Sequence, residues 1–321
     1  MSVILLATPL VAQPALERQI AAIAADAQGR VSVACSLPDT ALSCDLNPHA
    51  HPPMQSVFKL PLAIATLHLV EEGELSLDQA IRFRASDRIL PHTYSPLQDK
   101  YPSAEVDVPL GELLRMAVSV SDDVAADVVL RTIGGPAVVD AYCKAGGGFH
   151  LEDNEAGLFR DVTAQYRNWW EPAAAVALLR RLDEQSPLTP AHTAALLGWM
   201  RDSPAGARRI KGGLPAGTLV QHKSGTSFTD NGLTHATNDI GLITLPDGRR
   251  LAIAIFVTDS SADEATRESV IARIARAAYD AAIATGERMG TVLTTPPYSR
   301  NATGHAASTR LAFHFPVARA N

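Results

Sequence analysis

The chain has 321 residues, of which 46% are hydrophobic and 19% charged, with a formal net charge of −6. That is long enough for one large domain or two smaller ones around a substantial core. The charge is spread without basic blocks, which gives no electrostatic footprint for nucleic acid or anionic lipid, so neither is expected as a partner.

In chain order, the N-terminus carries an apolar run from Val3 to Ala12, followed by Gln13-Pro14-Ala15. It resembles the apolar region and cleavage site of a secretory signal, without the usual basic start, so residues 1–14 are expected to be a signal peptide. The run is too short for a bilayer, which takes about 20 apolar residues, and no later segment reaches that length. Leu16, Ile20, Ile23 and Ala24 recur at helical spacing and predict an amphipathic helix. Cys35 and Cys44 lie on two short alternating runs, VSVACSL and ALSCDLN, separated by Pro38-Asp39-Thr40. This reads as a hairpin whose cysteines either pair in an oxidising compartment or stay as half-buried thiols. Cys143 is left over, and no CxxC pair or close His/Cys cluster points to a metal; His49-Ala50-His51 reads as a solvated loop.

From Ser56 to about Gly147 the pattern is mainly helical, with turn chemistry around Asp87–Pro109 and at Gly134-Gly135-Pro136. Pro61, inside an apolar helical run, predicts a kink near the first turn. The stretch from about His150 to Trp170 lacks periodicity and reads as a long loop, a class that is usually functional inside a compact domain. Helices follow at Pro172–Glu184 and Thr189–Arg201, then strands at Thr218–His222, Asn238–Leu245 and Leu251–Val257. The last two strands are joined by Pro246-Asp247-Gly248, a turn signal. A final helix opens with Ser261 and Glu264 at capping-box spacing. After about Thr285 periodicity is lost, and residues 285–321, with a sequon at Asn301, are expected to be a disordered tail. Strands at both ends with helices between predict one sheet closed by the termini, an inserted helical lobe and a shared cleft.

The chain has 23 arginines and only five lysines. Lysine, unlike arginine, can lose its proton when desolvated. Two of the five stand in Ser56-Val57-Phe58-Lys59 and Lys223-Ser224-Gly225-Thr226. Residues three apart on a helix share a face, so Lys59 can reach the Ser56 hydroxyl. An unassisted serine is a poor nucleophile and needs such a base. Apolar neighbours keep Lys59 from solvent, and burial with nearby positive charge would lower its pKa. Ser121-Asp122-Asp123 by itself reads as a helix N-cap; beside a nucleophile, Ser121 could pass a proton to a leaving nitrogen. Lys223-Ser224-Gly225-Thr226 ends a strand, where glycine permits close approach and the polar groups could grip a carboxylate.

Together these three are similar to the S-x-x-K, S-D-N-like and K-T-G-like elements of the penicillin-recognising serine enzymes. From about Leu16 to Ala282 the chain resembles class A β-lactamases, and within them the PER-like branch. PPMQSVFKL, AVSVSDDVAADVVL, IGGPAVV, GGLPAGTLVQHKSGT and ATNDIGLITLPDGR carry that resemblance. It implies an α/β (α+β) fold: an antiparallel five-stranded sheet flanked by N- and C-terminal helices, plus an inserted all-α lobe. The single domain would span 15–284, with its sheet lobe at 15–48 and 208–284 and its helical lobe at 49–207. It also implies a monomeric, periplasmic or secreted enzyme without cofactor or metal that hydrolyses penicillins and cephalosporins through a Ser56 acyl-enzyme and confers antibiotic resistance.

The resemblance further implies roles. Lys59, or Glu155 through water, takes the Ser56 proton; the N–H groups of Ser56 and Thr226 form the oxyanion hole. Ser121 relays a proton to the leaving nitrogen, and Lys223, Ser224 and Thr226 hold the substrate carboxylate. Tyr94 is either a wall of the cleft entrance or a packed loop residue. Two glutamates compete to activate water. Glu171, in a W-E-P-like triplet, lies 50 residues after Ser121 at a helix start, whereas Glu155 lies 34 after it inside the long loop and is assigned the role. Two departures stand out. Asp123 replaces the family's usual Asn, and an ionised Asp accepts but cannot donate a hydrogen bond to a substrate amide carbonyl. Phe159 stands where a polar residue commonly helps hold the hydrolytic water, which predicts slow deacylation. The rival reading is a DD-peptidase or penicillin-binding protein, which shares the acylation machinery but lacks the deacylating glutamate.

Overall fold

The apolar run Leu251–Val257 is buried on both faces, and the architecture follows from what covers each of them. In the computed structural model, which describes residues 13–89, 93–144 and 146–292, β1 is Arg30–Ser36. Two small pairs follow, β2 (Ala80–Phe83) with β3 (Val106–Pro109), and β4 (Phe149–His150) with β5 (Trp169–Trp170). The C-terminal strands are β6 (Val220–Thr226), β7 (Thr229–Asp230), β8 (Leu233–Thr244) and β9 (Arg250–Ser260). The main sheet is antiparallel, ordered β1-β9-β8-β6 with β7 paired to β8.

Side chains alternate across a strand, so Ala252, Ala254 and Phe256 join one apolar cluster while Leu251, Ile253, Ile255 and Val257 join another. The second cluster is closed by α1 (Gln13–Ala24) and by α10 (Glu264–Val292), through Leu16, Ile20, Val270, Ile271 and Ile274. The first cluster receives the inserted helices, centred on α2 (Lys59–Glu71), which is buried on every side from Lys59 to Leu67. Around it lie α3 (Pro96–Lys100), α4 (Leu110–Arg115), α5 (Asp123–Ile133) and α6 (Pro136–Lys144). The set is completed by α7 (Glu155–Leu158), α8 (Pro172–Glu184) and α9 (Pro190–Arg201).

Several local expectations change. The Cys35 run forms β1, but its ladder is made with β9 rather than with the Cys44 run. The latter touches it through a single bridge, Val33 to Leu46. Alternation shows that a segment is a strand; it does not say which partner completes its hydrogen bonds. Cys35 and Cys44 are nonetheless joined in a disulfide, with Cα atoms 5.3 Å apart. Pro61 falls in the first turn of α2, where an amide N–H has no helical partner to lose, and a 3₁₀ turn at Gln55–Phe58 leads into it. The cap of α10 is Asp263, whose carboxylate accepts from Thr266 N–H at 2.7 Å, not Ser261. That helix runs to Val292, past the expected limit at 284. The expected signal segment up to residue 12, the rest of the tail and its sequon lie outside the described residues. Among the described residues no helix is long and apolar enough to cross a membrane.

The disulfide closes a short loop, and constraining such a loop in the unfolded chain is worth about 2–3 kcal/mol. Cys35→Ser/Cys44→Ser is therefore expected to lower unfolding free energy by that amount in urea titrations. Wild type in reductant should match the double mutant, and an unchanged midpoint would contradict the assignment.

Candidate active site

The segment before α2 brings Ser56 to the surface of an otherwise buried helix. Gln55 has φ of 47°, an unusual value for a non-glycine residue, and its side chain donates to Gln165 Oε1 at 2.8 Å. Such strained positions cluster at functional sites, where the surroundings hold them in place. One turn on, Lys59 is completely buried. Its Nζ donates to Ser56 Oγ at 2.9 Å, to the Ser121 carbonyl at 2.9 Å and to Asp123 Oδ1 at 2.6 Å, and lies 2.8 Å from Glu155 Oε1. Burial opposes the charge, but the Asp123 and Glu155 carboxyls outweigh it and hold the ammonium above the ordinary lysine value. Lys59 is thus not the free amine expected from its apolar flanks, because carboxylates from two other segments reach it.

Ser121 follows a π-helical turn, Met116–Val120, and takes a left-handed conformation with φ of 61°. π-turns inside helices frequently mark functional sites. The cap of α5 is Asp122, one residue later, which accepts from Ala125 N–H at 2.8 Å, Leu97 N–H at 2.6 Å and Ser95 Oγ at 2.7 Å. The Ser121 hydroxyl is therefore not spent on capping and receives Lys223 Nζ at 2.8 Å. Asp123 Oδ2 accepts from Thr93 Oγ1 at 2.6 Å.

The long loop is clamped at its base by the β4–β5 pair and braced inside by Asn168. The Asn168 side chain accepts from Glu152 and Asp153 N–H at 2.9 Å each and donates to the Asp153 carbonyl. Asp127 of α5 fixes the start of α7: it accepts from Glu155 N–H at 2.7 Å, Ala156 N–H at 2.9 Å and Asn154 Nδ2 at 2.8 Å. The Glu155 carboxyl consequently points at Ser56, whose Oγ donates to it at 3.2 Å. Burial, reinforced by Asp123, pushes Glu155 up to about 8 despite the Lys59 charge. Burial likewise pushes Asp127 up to about 7. Glu171 lies elsewhere. It precedes Pro172 at the start of α8 and is held by His49 Nδ1 at 2.8 Å and His51 Nε2 at 3.2 Å.

Strand β6 closes the other side. A Cβ on Gly225 would stand 2.6 Å from the Met54 carbonyl, so only glycine lets this strand reach the start of α2. Lys223 is fully buried, and desolvation together with the Lys59 charge pushes it down to about 7. Arg209, 4% exposed, donates to Thr226 Oγ1 at 2.7 Å, to the carbonyls of Gly225 and Asn238 and to Glu268. The resulting cleft, about 440 Å³, is lined by Ser56, Tyr94, Ser121, Asp123, Glu155, Ser224 and Thr226 among others. Tyr94, Phe159 and Phe228 are exposed at its mouth, the two phenylalanines stacked with centroids 6.3 Å apart. The residues expected at the site thus share one crevice or lie directly behind it. Arg209, Asp127 and Thr93 were missed: one arginine among 23 carries no local signature, and the other two act through the fold.

Comparison with known proteins matches this geometry to a family. Residues 15–282 match the profile described as the β-lactamase enzyme family. The chain is 40% identical over 268 residues to the extended-spectrum β-lactamase PER-1 of Pseudomonas aeruginosa, covering 83% of this chain and 87% of that one. The chain belongs to the class A β-lactamases. VEB-1 of Pseudomonas aeruginosa is 35% identical, over 73% of this chain and 79% of its own. Among solved structures, a β-lactamase from Chitinophaga pinensis DSM 2588 superposes with a TM-score of 0.80 at 42% identity, covering 84% of this chain and 99% of that one. The TLA-1 extended-spectrum enzyme gives 0.80 at 35% identity, covering 84% and 98%. This β-lactamase is accordingly a serine hydrolase that opens the β-lactam ring and confers antibiotic resistance.

In this β-lactamase the Asp127 contacts are what hold Glu155 in place. Asp127→Ala leaves buried donors without acceptors, at about 1–3 kcal/mol each. It is expected to destabilise the protein in denaturant melts and to cut nitrocefin kcat about 100-fold, the scale of a 1 Å misplacement. Wild-type kcat in a folded mutant would contradict this role.

Proposed function

We propose that Ser56 is the nucleophile and Glu155 its base in hydrolysis of penicillins and cephalosporins. The observation that carries the proposal is the position of Ser56 Oγ, 2.9 Å from Lys59 Nζ and 3.2 Å from Glu155 Oε1. The Lys59 ammonium donates to Oγ and steadies the alkoxide as it forms, while the hydroxyl proton passes to Glu155 in its ionised form. The N–H groups of Ser56 and Thr226 receive the developing oxyanion; losing one such donor typically costs about 3–4 kcal/mol of barrier.

Ser121 gives its proton to the departing nitrogen and is resupplied by Lys223, whose lowered pKa makes the transfer cheap. Lys223, Ser224 and Thr226, with Arg209 behind Thr226, hold the substrate carboxylate, and Tyr94 walls the entrance. After acylation Glu155 releases the proton it took from Ser56 to solvent, from which Lys223 recovers its own. The ionised Glu155 then removes a proton from water as that water attacks the ester; the proton passes from Glu155 to Ser56 Oγ as the ester bond breaks. A DD-peptidase has no use for a buried glutamate against its nucleophile. We also place the enzyme outside the cytoplasm, periplasmic or secreted, as a monomer that binds neither nucleic acid nor membrane. The disulfide, a bond kept in oxidising compartments, supports export.

Nitrocefin kinetics test the assignment. Glu155→Gln is expected to acylate slowly, for want of the base, and then stall as the acyl-enzyme, and Glu171→Gln to turn over nearly as wild type; the reverse pattern would overturn it. The second departure gives an independent check. Phe159 offers no polar atom to the hydrolytic water, and restoring one hydrogen bond is worth about 1 kcal/mol, roughly fivefold. Phe159→Asn should raise the deacylation rate about that much in stopped-flow traces and leave acylation unchanged.

A further inference from the structure

Lys59 is one ammonium shared by two carboxyls. Asp123 Oδ1 lies 2.6 Å from its Nζ and Glu155 Oε1 2.8 Å, with the Asp123 and Glu155 side chains 14% and 4% exposed. Two carboxylates in one poorly solvated site cannot both ionise cheaply against a single positive charge, so one retains a proton. The contacts show which. Asp123 accepts on both oxygens, Oδ1 from Lys59 and Oδ2 from Thr93, an arrangement suited to the ionised form. On Glu155 both neighbouring donors, Ser56 Oγ and Lys59 Nζ, converge on Oε1. Among the described residues Oε2 has no hydrogen-bond partner, which leaves it for the proton.

The remaining charged groups around Glu155 do not reverse this. Asp127, packed beneath the start of α7, adds a further carboxyl. Lys223 lies on the far side of Ser121, and its own charge is weakened by burial. The upward shift of Glu155 to about 8 has the same direction and the same named causes.

We propose that Asp123 is a positioning residue for protons: by taking Lys59 as its own counter-ion it leaves Glu155 protonated in the resting enzyme, so that turnover switches on only as pH rises. The proposal rests on Glu155 being the water-activating base. Below the titration point each pH unit lost costs about tenfold in the ionised fraction, and kcat falls with it. In Asp123→Asn the amide oxygen still accepts from Lys59 and the amide nitrogen faces Thr93, whose hydroxyl can turn to accept. Glu155 then becomes the one carboxylate against Lys59 and ionises at lower pH.

The test is the pH profile of kcat at saturating benzylpenicillin for wild type, Asp123→Asn and Glu155→Gln. The acid limb of Asp123→Asn is expected at least about one pH unit below that of wild type, raising kcat near pH 6 about tenfold relative to its own alkaline plateau. Coincident limbs, with Glu155→Gln stalled, overturn the role of Asp123 alone. Normal turnover by Glu155→Gln overturns the base assignment instead. A readout on wild type does not depend on the folding of Asp123→Asn: ¹³C NMR of carboxyl-labelled glutamate, with the Glu155 signal assigned by its loss in Glu155→Gln. A titration midpoint near 8 is expected; one near the ordinary glutamate value of about 4.3 overturns the proposal.

Discussion

The buried ammonium of Lys59 is the charge around which the cleft is organised. It has no contact with solvent, and its partners come from the turn before α2, the end of the π-turn, the start of α5 and the long loop. Taking a charge out of water costs several kcal/mol, recovered only when the surrounding partners are all in place. Segments distant in sequence are thereby drawn to one point. The same charge sets the state of its neighbours, since Lys223 is pushed down partly because Lys59 stays positive. Asp123 in turn claims the ammonium that Glu155 would otherwise hold to itself. The ionisable groups of this cleft behave as one coupled set.

Holding that set together requires backbone that would not form unaided. Gln55 and Ser121 both have positive φ without being glycine, and each is adjacent to a group of the cleft or belongs to it. The cost of such positions is of order 1–3 kcal/mol each. It is met by packing on either side: α2 is buried among apolar neighbours, and α5 is capped by Asp122, itself held by Ser95 and Leu97. Gly225 makes the approach of β6 to the turn before α2 sterically possible.

Much of this was legible in the sequence because the relevant spacings are local. Ser56 and Lys59 meet because three residues make nearly one helical turn, and the C-terminal strands announce themselves by their apolar runs. What escaped was mostly a matter of partners. The Cys35 run alternates correctly, yet its ladder partner lies far along the chain in β9. Ser121 looked like a cap because Asp122 beside it is one, and the left-handed residue between two helices leaves no mark in composition. The charged state of Lys59 could not be read from its apolar flanks, since the carboxylates that enforce it arrive from α5 and the loop. Asp127 sits on a buried helix face and does its work through backbone N–H groups of another segment, which no side-chain pattern reveals.

In the proposed mechanism the hydroxyl beside Lys59 is the one that becomes covalently linked to substrate. Acid-quenching the enzyme during turnover of benzylpenicillin and mapping its peptides by mass spectrometry tests this directly. A penicilloyl group is expected on the peptide carrying Ser56 and at that residue. Adduct at another side chain, or none while substrate is being consumed, would contradict the account.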